Sequence, residues 1–473
     1  MMLKKLFSHT FIYGFANQIP KIAGLFSLPF ITQYLTEEDY GIFGVVTSYM
    51  AAIEVFSSLG LRLVLVNTFY KHPNWYLKIW KEIYGFLMLW NLLFLAFKVG
   101  FLWLLMPKEV DDVAMVIFLN VGAGLFFGPT ALIGSTFFQI KQMPFSIAIR
   151  TIVFGTLTIV LNILFIAIFK MGYLGWFYSL FIVSVLGNMS YFYPLFYKYK
   201  LAPVFVFSLR RIKSYLKVTL PTIPHYYSTF LLNTSDKIVM EHLSVPINDI
   251  GKYNAAYTVG NFFNSIGMVS GFAITPLMNE CYKNKDERTA RELVFVLQGV
   301  FFIASFLVSI WLKEIFHVLI KNDVLAATYP IGIIVVMAYN YRAMYYGSIN
   351  KLFYLEKTSV LWKITFIAGI TNVLLNVALI PFFGYEIAAV TTFISLMFMG
   401  YSGYFLRDFK ENSSVNYYPF LWFTATVLLA ITAYLLRDIT IAAKISITLG
   451  SLSLSAYLSF YLWKKMKLIQ SAK

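Results

Sequence analysis

The sequence predicts an all-α membrane protein that crosses the bilayer many times. Of its 473 residues, 59% are hydrophobic and only 13% are charged, whereas about a quarter of the residues of a soluble domain are charged. Windows of about 20 residues without charge recur along the chain, and a helix of that length spans the hydrocarbon core of a bilayer. Only helices and closed barrels satisfy their backbone hydrogen bonds in lipid. These observations exclude a water-soluble enzyme.

The apolar segments predict about fourteen transmembrane helices. Seven windows are free of charge and bracketed by it, namely 113–140, 151–169, 171–197, 253–279, 293–312, 387–406 and 445–463. When the segments interrupted by single charges are added, helices begin near residues 8, 40, 82, 113, 145, 172, 215, 251, 293, 324, 360, 384, 418 and 443. The apolar stretch that follows Lys5 is too long for the core of a signal peptide, so we interpret it as the first transmembrane helix.

Lysine and arginine residues are distributed unequally between alternate loops. With the N-terminus in the cytoplasm, 25 of them fall on the cytoplasmic side and 7 on the opposite side, in agreement with the positive-inside rule. An even number of helices then places both termini in the cytoplasm. Because the net charge of +16 mostly reflects this topology, we expect no nucleic-acid partner.

Two segments of the chain recur in the same order, at offsets of 208 to 214 residues. Residues 35–43 are similar to 243–253, and residues 161–173 are similar to 375–385. Two copies of a unit with an even number of helices share one topology. The repeat therefore predicts an N-terminal six-helix lobe at 1–197, a basic amphipathic linker at 198–214, a C-terminal six-helix lobe at 215–410, and two additional helices with a basic tail at 411–473.

Six basic residues fall within the predicted helices, where an ionisable side chain marks a candidate site. They are Lys21, Arg62, Lys98, Arg150, Lys237 and Arg342. Lys21 shares one helix face with Asn17 and Gln18, so we assign these three residues to a cavity. The alternative for Lys21 is an internal ion pair with Glu54. Lys98 lies near the outer end of the third helix, where we expect its side chain to reach the interface.

The two arginines are candidates for binding phosphate. A guanidinium group binds phosphate in bidentate fashion, and the four tyrosines around Arg342 offer flat surfaces and hydroxyls to sugars. For both Arg62 and Arg342, an orientation into a cavity and an extension to the interface remain open. Lys237 is likewise a candidate for the substrate site, although it could instead form a structural pair with the adjacent Asp236.

Carboxyl groups within the predicted helices are candidates for ion coupling. Glu54 lies thirteen residues after Gly41, and Asn264 lies thirteen residues after Gly251, so both halves place a polar group at the same depth. A carboxyl group in a poorly solvated site can carry a proton across a membrane. We therefore assign Glu54 and Asp236 as ion-coupling candidates.

Three motifs carry a resemblance to a known family. They are an acidic turn at 37–41, an Asp–Lys pair within 235–239 that is followed by 249–257, and the segment 375–385. With these motifs the chain resembles the polysaccharide (Wzx-type) flippases of the multidrug/oligosaccharidyl-lipid/polysaccharide (MOP) exporter superfamily. It departs at Glu386-Ile387, where the family usually has Gly-Ala. The resemblance implies two MATE-like lobes around a central cavity, in the inner membrane of a bacterium.

The resemblance also implies a function. We expect the chain to move undecaprenyl-diphosphate-linked oligosaccharide from the cytoplasmic to the outer leaflet, for surface polysaccharides such as the O-antigen of lipopolysaccharide. Alternating access of two lobes would expose a cationic cavity to each side in turn. The predicted substrate-binding residues are Lys21, Arg62, Lys237, Arg342, Asn17 and Gln18. The alternatives are a cation-coupled multidrug exporter of the same superfamily and a lipid II flippase.

No enzyme activity is expected. The sequence contains no Walker, Rossmann, zinc-protease or nucleophile-elbow motif, so we predict no catalytic residue, no metal and no cofactor beyond an H+ or Na+ gradient. The expected partners are the lipid-linked oligosaccharide, membrane lipid, and a polysaccharide polymerase or glycosyltransferases. We expect the chain to act as a monomer.

Overall fold

The chain is all-α throughout the part that a computed structural model describes, which is residues 18–453 with all side chains except those of Lys21 and 358–360. The N-terminal half contains α1 (Ile19–Ile31), α2 (Glu37–Glu54), α3 (Arg62–Lys71), α4 (Tyr76–Leu105), α5 (Val113–Phe127), α6 (Thr130–Ile140), α7 (Pro144–Asn162) and α8 (Tyr173–Tyr193). Helix α9 (Leu209–Thr219) follows in the linker.

The C-terminal half is also entirely helical within the described residues. It contains α10 (Ile223–Asn233), α11 (Ser235–His242), α12 (Ile247–Lys283), α13 (Glu287–Ile310), α14 (Leu312–Leu319), α15 (Asp323–Ala326), α16 (Tyr329–Ala338), α17 (Tyr341–Tyr354), α18 (Thr358–Phe383), α19 (Ile387–Tyr401) and α20 (Arg407–Glu411). Two further helices, α21 (Pro419–Leu435) and α22 (Ile441–Ser453), complete the described chain.

Seven helices of the described residues are long and apolar enough to cross a bilayer. They are α4, α7 and α8 with their extensions, α13, the main part of α18, α19 and α21. Helices α5 and α6 count as an eighth crossing if this pair, which is bent by 59°, is one broken span. The predicted all-α polytopic class is confirmed, while the number of fourteen crossings stays a prediction.

Breaks interrupt several of the helical segments. Between α5 and α6, Gly128 has a φ of +50° and is followed by Pro129, a pair that neither continues nor restarts a helix smoothly. Leu59 and Gly60 have φ angles of +48° and +69° and separate α2 from α3. Thr234, with a φ of −140°, separates α10 from α11. Such breaks free backbone groups within a bundle, where transporters commonly bind their substrates.

The two halves meet most extensively where α2 crosses α12. A Cβ atom on Gly41 would overlap the carbonyl oxygen of Ile247, and one on Gly251 would overlap that of Glu37. Gly41 and Gly251 are 210 residues apart, as are Glu37 and Ile247. The repeat-related residues therefore contact each other about a local two-fold relation. We call this region, residues 37–41 and 247–251, the closed end.

The linker packs against the N-terminal half at the other end of the molecule. The backbone of Val204 donates a hydrogen bond of 3.0 Å to the carbonyl oxygen of Lys81, and Arg211 forms an ion pair of 3.2 Å with Glu82. Helix α9 begins within the predicted linker and continues to Thr219, five residues past the predicted end of the linker at 214. The predicted lobe boundaries at 197, 214 and 410 stay predictions.

Candidate functional site

A cavity of about 600 Å³ lies between the two halves. Helices α1, α2 and α7 form its wall on one side, and α10, α11 and α12 form the other. Its polar lining includes Thr47, Asn162, Asn233, Lys237, Asn254 and Asn261. Lys237 is the only charged side chain among the described residues that line it. We call this space the central cavity.

Lys237 is a buried cation at this cavity, with only 6% of its surface exposed. Its ammonium lies 5.3 Å from the centre of the Tyr257 ring, in a cation–π contact. Among the described residues, no carboxylate oxygen lies within the 4.0 Å of its Nζ that would make an ion pair. Since a buried ammonium is costly without an anion, Lys237 is suited to receive an anionic ligand.

Asp236 points into a separate network within the C-terminal half. Its carboxylate accepts hydrogen bonds from the Tyr253 hydroxyl at 2.6 Å, from Asn376 Nδ2 at 2.8 Å and from Thr392 Oγ1 at 3.1 Å. The side chain is 1% exposed. Asp236 is therefore bound by neutral donors from α12, α18 and α19, while Lys237 faces the cavity. The structure therefore does not show the alternative in which Asp236 and Lys237 form an ion pair with each other.

A second cavity, of about 710 Å³, lies within the C-terminal half, and we call it the arginine pocket. Its polar lining consists of His225, Thr275, Asn279, Arg342, Tyr345, Tyr346 and Asn350. Arg342 is the only lysine, arginine, aspartate or glutamate among the described residues that line it. Tyrosine rings and amide groups beside a guanidinium suit a ligand that carries both sugar and phosphate.

Neutral groups hold Arg342 in this pocket. Its guanidinium donates hydrogen bonds to the side-chain oxygen of Asn264 and, at 3.3 Å, to the Tyr346 hydroxyl. Tyr346 in turn donates to the carbonyl oxygen of Gly267 at 2.9 Å. The Nε atom is buried and has no hydrogen-bond partner among the described residues. These neutral partners leave the positive charge of Arg342 without a compensating carboxylate in the described part of the pocket.

One face of α12 lines both cavities. Tyr257, Asn261 and Ser265 face the central cavity, and Met268, Phe272 and Thr275 face the arginine pocket. These positions recur at intervals of three or four residues, so they lie along one side of the helix. Asn264, which is adjacent to Ser265, accepts a hydrogen bond from Arg342. The polar face of α12 therefore connects the two cationic sites.

Glu54 and Lys98 form an ion pair in the N-terminal half. Lys98 Nζ lies 2.6 Å from Glu54 Oε2, and the Lys98 side chain is only 9% exposed. The prediction that Lys98 extends to the interface is wrong, because Glu54 at the end of α2 holds the ammonium inside the half. Glu54 therefore pairs with Lys98, and the side chain of Lys21, its predicted alternative partner, lies outside the described part of the chain.

The other predicted site residues have different surroundings. Arg62 is exposed at the start of α3, donates a 2.6 Å hydrogen bond to Gln139 and lines neither cavity. Gln18 is buried and lines an apolar groove between α1 and α12, and its Oε1 accepts no hydrogen bond from the described residues. Asn17 lies outside the described residues, and of Lys21 only the backbone, within α1, is described.

Sequence reasoning missed the donors to Asp236. Tyr253 and Asn376 stand inside the segments 249–257 and 375–385, which carried the family resemblance, so the motifs contained a signal for them. Thr392 has no such signal, because it comes from α19 and reaches Asp236 only through packing. Among the described residues, no group of three or more histidine, cysteine, aspartate or glutamate side chains is arranged to hold a metal ion.

Comparison with known proteins places the chain in a family. The model of the polysaccharide biosynthesis protein family matches residues 6–281, which is more than half of the chain. The chain belongs to this family. A search of curated protein sequences found no match. The family assignment agrees with the polysaccharide branch that the sequence motifs resemble.

Solved structures of transporters show the same fold as this family member. The lipid II flippase MurJ, in an inward closed conformation, aligns with a TM-score of 0.63 and 13% identity over 90% of this chain and 97% of that chain. An inward-facing MATE family multidrug resistance transporter of the MOP superfamily gives 0.62 and 13% over 89% and 96%. A MOP superfamily transporter from Pyrococcus furiosus gives 0.51 and 13% over 92% and 97%. The predicted MATE-like fold is confirmed, and the chain is a multi-pass membrane protein.

Proposed function

We propose that this polysaccharide biosynthesis protein is a flippase for undecaprenyl-diphosphate-linked oligosaccharide. The observation that supports this most directly is the charge of the two cavities. Their only charged lining residues within the described chain are Lys237 and Arg342, and neither has a carboxylate partner there. A diphosphate loses its hydration when it enters a membrane protein, and charge-assisted hydrogen bonds from these cations replace that hydration.

The surroundings of the cavities suit the other parts of such a substrate. The tyrosines and asparagines of the arginine pocket offer stacking surfaces and hydrogen bonds to a sugar. An apolar groove of about 560 Å³ between α1 and α12 shares Phe262 and Ser265 with the central cavity. A prenyl chain in that groove would remain in an apolar environment while the diphosphate lies in the cavity.

The arrangement of the halves supports alternating access. They are joined at the closed end through Gly41 and Gly251, and Tyr49 of α2 donates a 2.7 Å hydrogen bond to Glu241 of α11. The distribution of lysine and arginine assigns this end to the outside and both termini to the cytoplasm. In this proposal the described state receives substrate from the cytoplasmic leaflet, and separation of α2 from α12 releases it outward.

Ion coupling is part of the proposal. Glu54 of α2 and Asp236 of α11 are carboxyl groups of helices that flank the central cavity, and we assign the coupling of transport to an H+ or Na+ gradient to them. From the family resemblance we also propose that the protein is a monomer in the bacterial inner membrane. We propose that it cooperates there with a polymerase or glycosyltransferases. No residue of the described site suggests a chemical step on the substrate.

The test is the fate of lipid-linked oligosaccharide in cells that lack the protein. An outside-only labelling reagent reports how much glycan reaches the outer leaflet. We expect glycan to accumulate on the cytoplasmic leaflet, and we expect rescue by the wild type but not by Arg342→Gln or Lys237→Gln, at equal amounts of membrane protein. Arg407→Gln is the matched control, because Arg407 pairs with Glu411 on an exposed surface.

Other outcomes favour the alternatives. Unchanged glycan export together with new drug sensitivity would indicate the multidrug exporter, whose mostly cationic substrates would need a carboxylate-lined cavity. Loss of viability through depletion of cell-wall precursor on the outer leaflet would indicate the lipid II flippase. Full rescue by both Arg342→Gln and Lys237→Gln would contradict the role of the two cations.

A further inference from the structure

In the Glu54–Lys98 ion pair, the carboxylate of Glu54 covers a buried cation that is a candidate site for another anion. Lys98 is 9% exposed and Glu54 is 57% exposed at its side chain, and their charged atoms are 2.6 Å apart. The ammonium also lies 4.9 Å from the centre of the Phe94 ring. Within the described chain, Glu54 is the only acidic partner of Lys98 in ion-pair contact. The carboxylate therefore stands between a buried cation and solvent.

The position of Glu54 relates this pair to the proposed substrate path. Glu54 follows Phe43 by eleven residues and Thr47 by seven in the unbroken helix α2, so the three residues lie on one face. Phe43 and Thr47 line the central cavity. Glu54 thus continues the cavity wall toward the break between α2 and α3, about 10 Å further along the helix from Thr47.

The repeat relation between the halves gives a second, independent observation. Glu54 lies thirteen residues after Gly41, and Asn264 lies thirteen residues after Gly251. Asn264 holds Arg342 in the C-terminal half, just as Glu54 holds Lys98 in the N-terminal half. Both halves therefore use this position to fix one cation. The neutral amide leaves the charge of Arg342 available, whereas the carboxylate neutralises that of Lys98.

We propose that Lys98 is a further phosphate-binding residue, besides Lys237 and Arg342, and that the Glu54 carboxylate binds its ammonium when substrate is absent. This inference rests on the proposed flippase function. A carboxylate and a phosphate are both oxyanions that accept charge-assisted hydrogen bonds from an ammonium. Because an uncompensated buried cation is strongly unfavourable, Lys98 exchanges one anion for the other.

Other titratable groups face α2 from the helices packed against it, but none makes an ion pair or hydrogen bond with Glu54 among the described residues. They are Lys237, Glu241 and His242 from α11, and Tyr227 from α10, whose ring lies 6.4 Å from that of Phe56 just after α2. Glu241 and His242 contact Tyr49, on another side of α2. The exchange can therefore be tested at Glu54 and Lys98 alone.

The experiment measures binding of geranylgeranyl diphosphate to the purified full-length protein at pH 8, with geranylgeraniol as the uncharged control ligand. We expect Glu54→Gln to tighten binding about tenfold, because the carboxylate no longer competes for Lys98. Lys98→Gln should weaken binding about tenfold, and the double variant should match Lys98→Gln. Lys98→Arg should retain binding. The control is Asp249→Asn, which removes the carboxylate of a pair with Lys252 at the closed end.

Thermal stability separates this exchange from a structural role. A purely structural pair gives the opposite pattern, in which Glu54→Gln lowers thermal stability without tightening binding, and that result would overturn the inference. Binding that depends on Arg342 but not on Glu54 or Lys98 would overturn this inference and leave the proposed function intact. Absence of binding by the wild type would contradict the proposed function as well.

Discussion

At the scale of single residues, the site separates two kinds of buried charge. Asp236 is satisfied by neutral donors from three helices, and one of these donors, Asn376, also donates to Asn372 at 3.0 Å. Lys237 and Arg342 have no carboxylate partner within the described residues. In a poorly solvated interior, a satisfied network makes the packing of helices specific, whereas an unsatisfied cation provides binding energy for an anion.

The Asp236 network should contribute measurably to stability. Asp236→Ala leaves the Tyr253 hydroxyl and two further donors buried without an acceptor, which costs about 1–3 kcal/mol for each group that finds no other partner. We expect a clear fall in the melting temperature of the purified protein, measured by tryptophan fluorescence.

The matched control is Asp249→Ala, because the Asp249–Lys252 pair is about one third exposed on both sides. Removal of such a pair typically costs less than about 1 kcal/mol. Equal melting temperatures for Asp236→Ala and Asp249→Ala would show that the network does not hold α11 to α12, α18 and α19.

The sequence could predict which residues matter here better than it could predict their partners. Intramembrane position alone selected Asp236, Lys237 and Arg342, because charge in a span is rare. The partners depend on which helix face meets which neighbour. That information is absent from the helical pattern of α4, so Lys98 was assigned to the interface although it pairs with Glu54.

At the scale of elements, the charged residues of the site lie next to breaks between helices. Asp236 and Lys237 directly follow the break at Thr234, and Arg342 follows the break between α16 and α17. Glu54 and Arg62 flank the break between α2 and α3. Only part of this was visible in the sequence, since Gly60 indicates a turn, whereas Thr234 and Tyr339 are compatible with a continuous helix.

The contact of α2 with α12 should control the opening of the closed end. Gly251→Val inserts a branched side chain where even a Cβ atom overlaps the Glu37 carbonyl, so we expect the two helices to separate. The measurement is labelling of a Phe43→Cys reporter with an impermeant maleimide from outside the cell, in a Cys281→Ala background. Labelling should rise several-fold in Gly251→Val.

Gly299→Val is the control for this substitution, because a Cβ atom on Gly299 meets no other atom within 4 Å. It changes a helix of the same half by the same side chain. If Gly251→Val and Gly299→Val label the reporter equally, then α2 and α12 do not form the outer barrier.

At the scale of the whole molecule, composition and repeat were sufficient to predict the architecture. The low charge content, the apolar windows and the repeat of residues 35–43 at 243–253 predicted an all-α membrane protein with two related halves. The fold is shared with the lipid II flippase MurJ and with MATE transporters at 13% identity. The fold alone does not choose between lipid-linked and drug substrates, so the charges at the cavities carry the functional proposal.

The most direct test of that proposal is transport by the purified protein in vesicles. The measurement is the rate at which fluorescent undecaprenyl-diphosphate oligosaccharide becomes accessible to an impermeant quencher. We expect the wild type to move it across the bilayer, and we expect Lys237→Gln/Arg342→Gln to reduce the rate at least about tenfold, corresponding to about 1.4 kcal/mol. An undiminished rate in the double variant, with normal folding, would contradict the central role of the two cations.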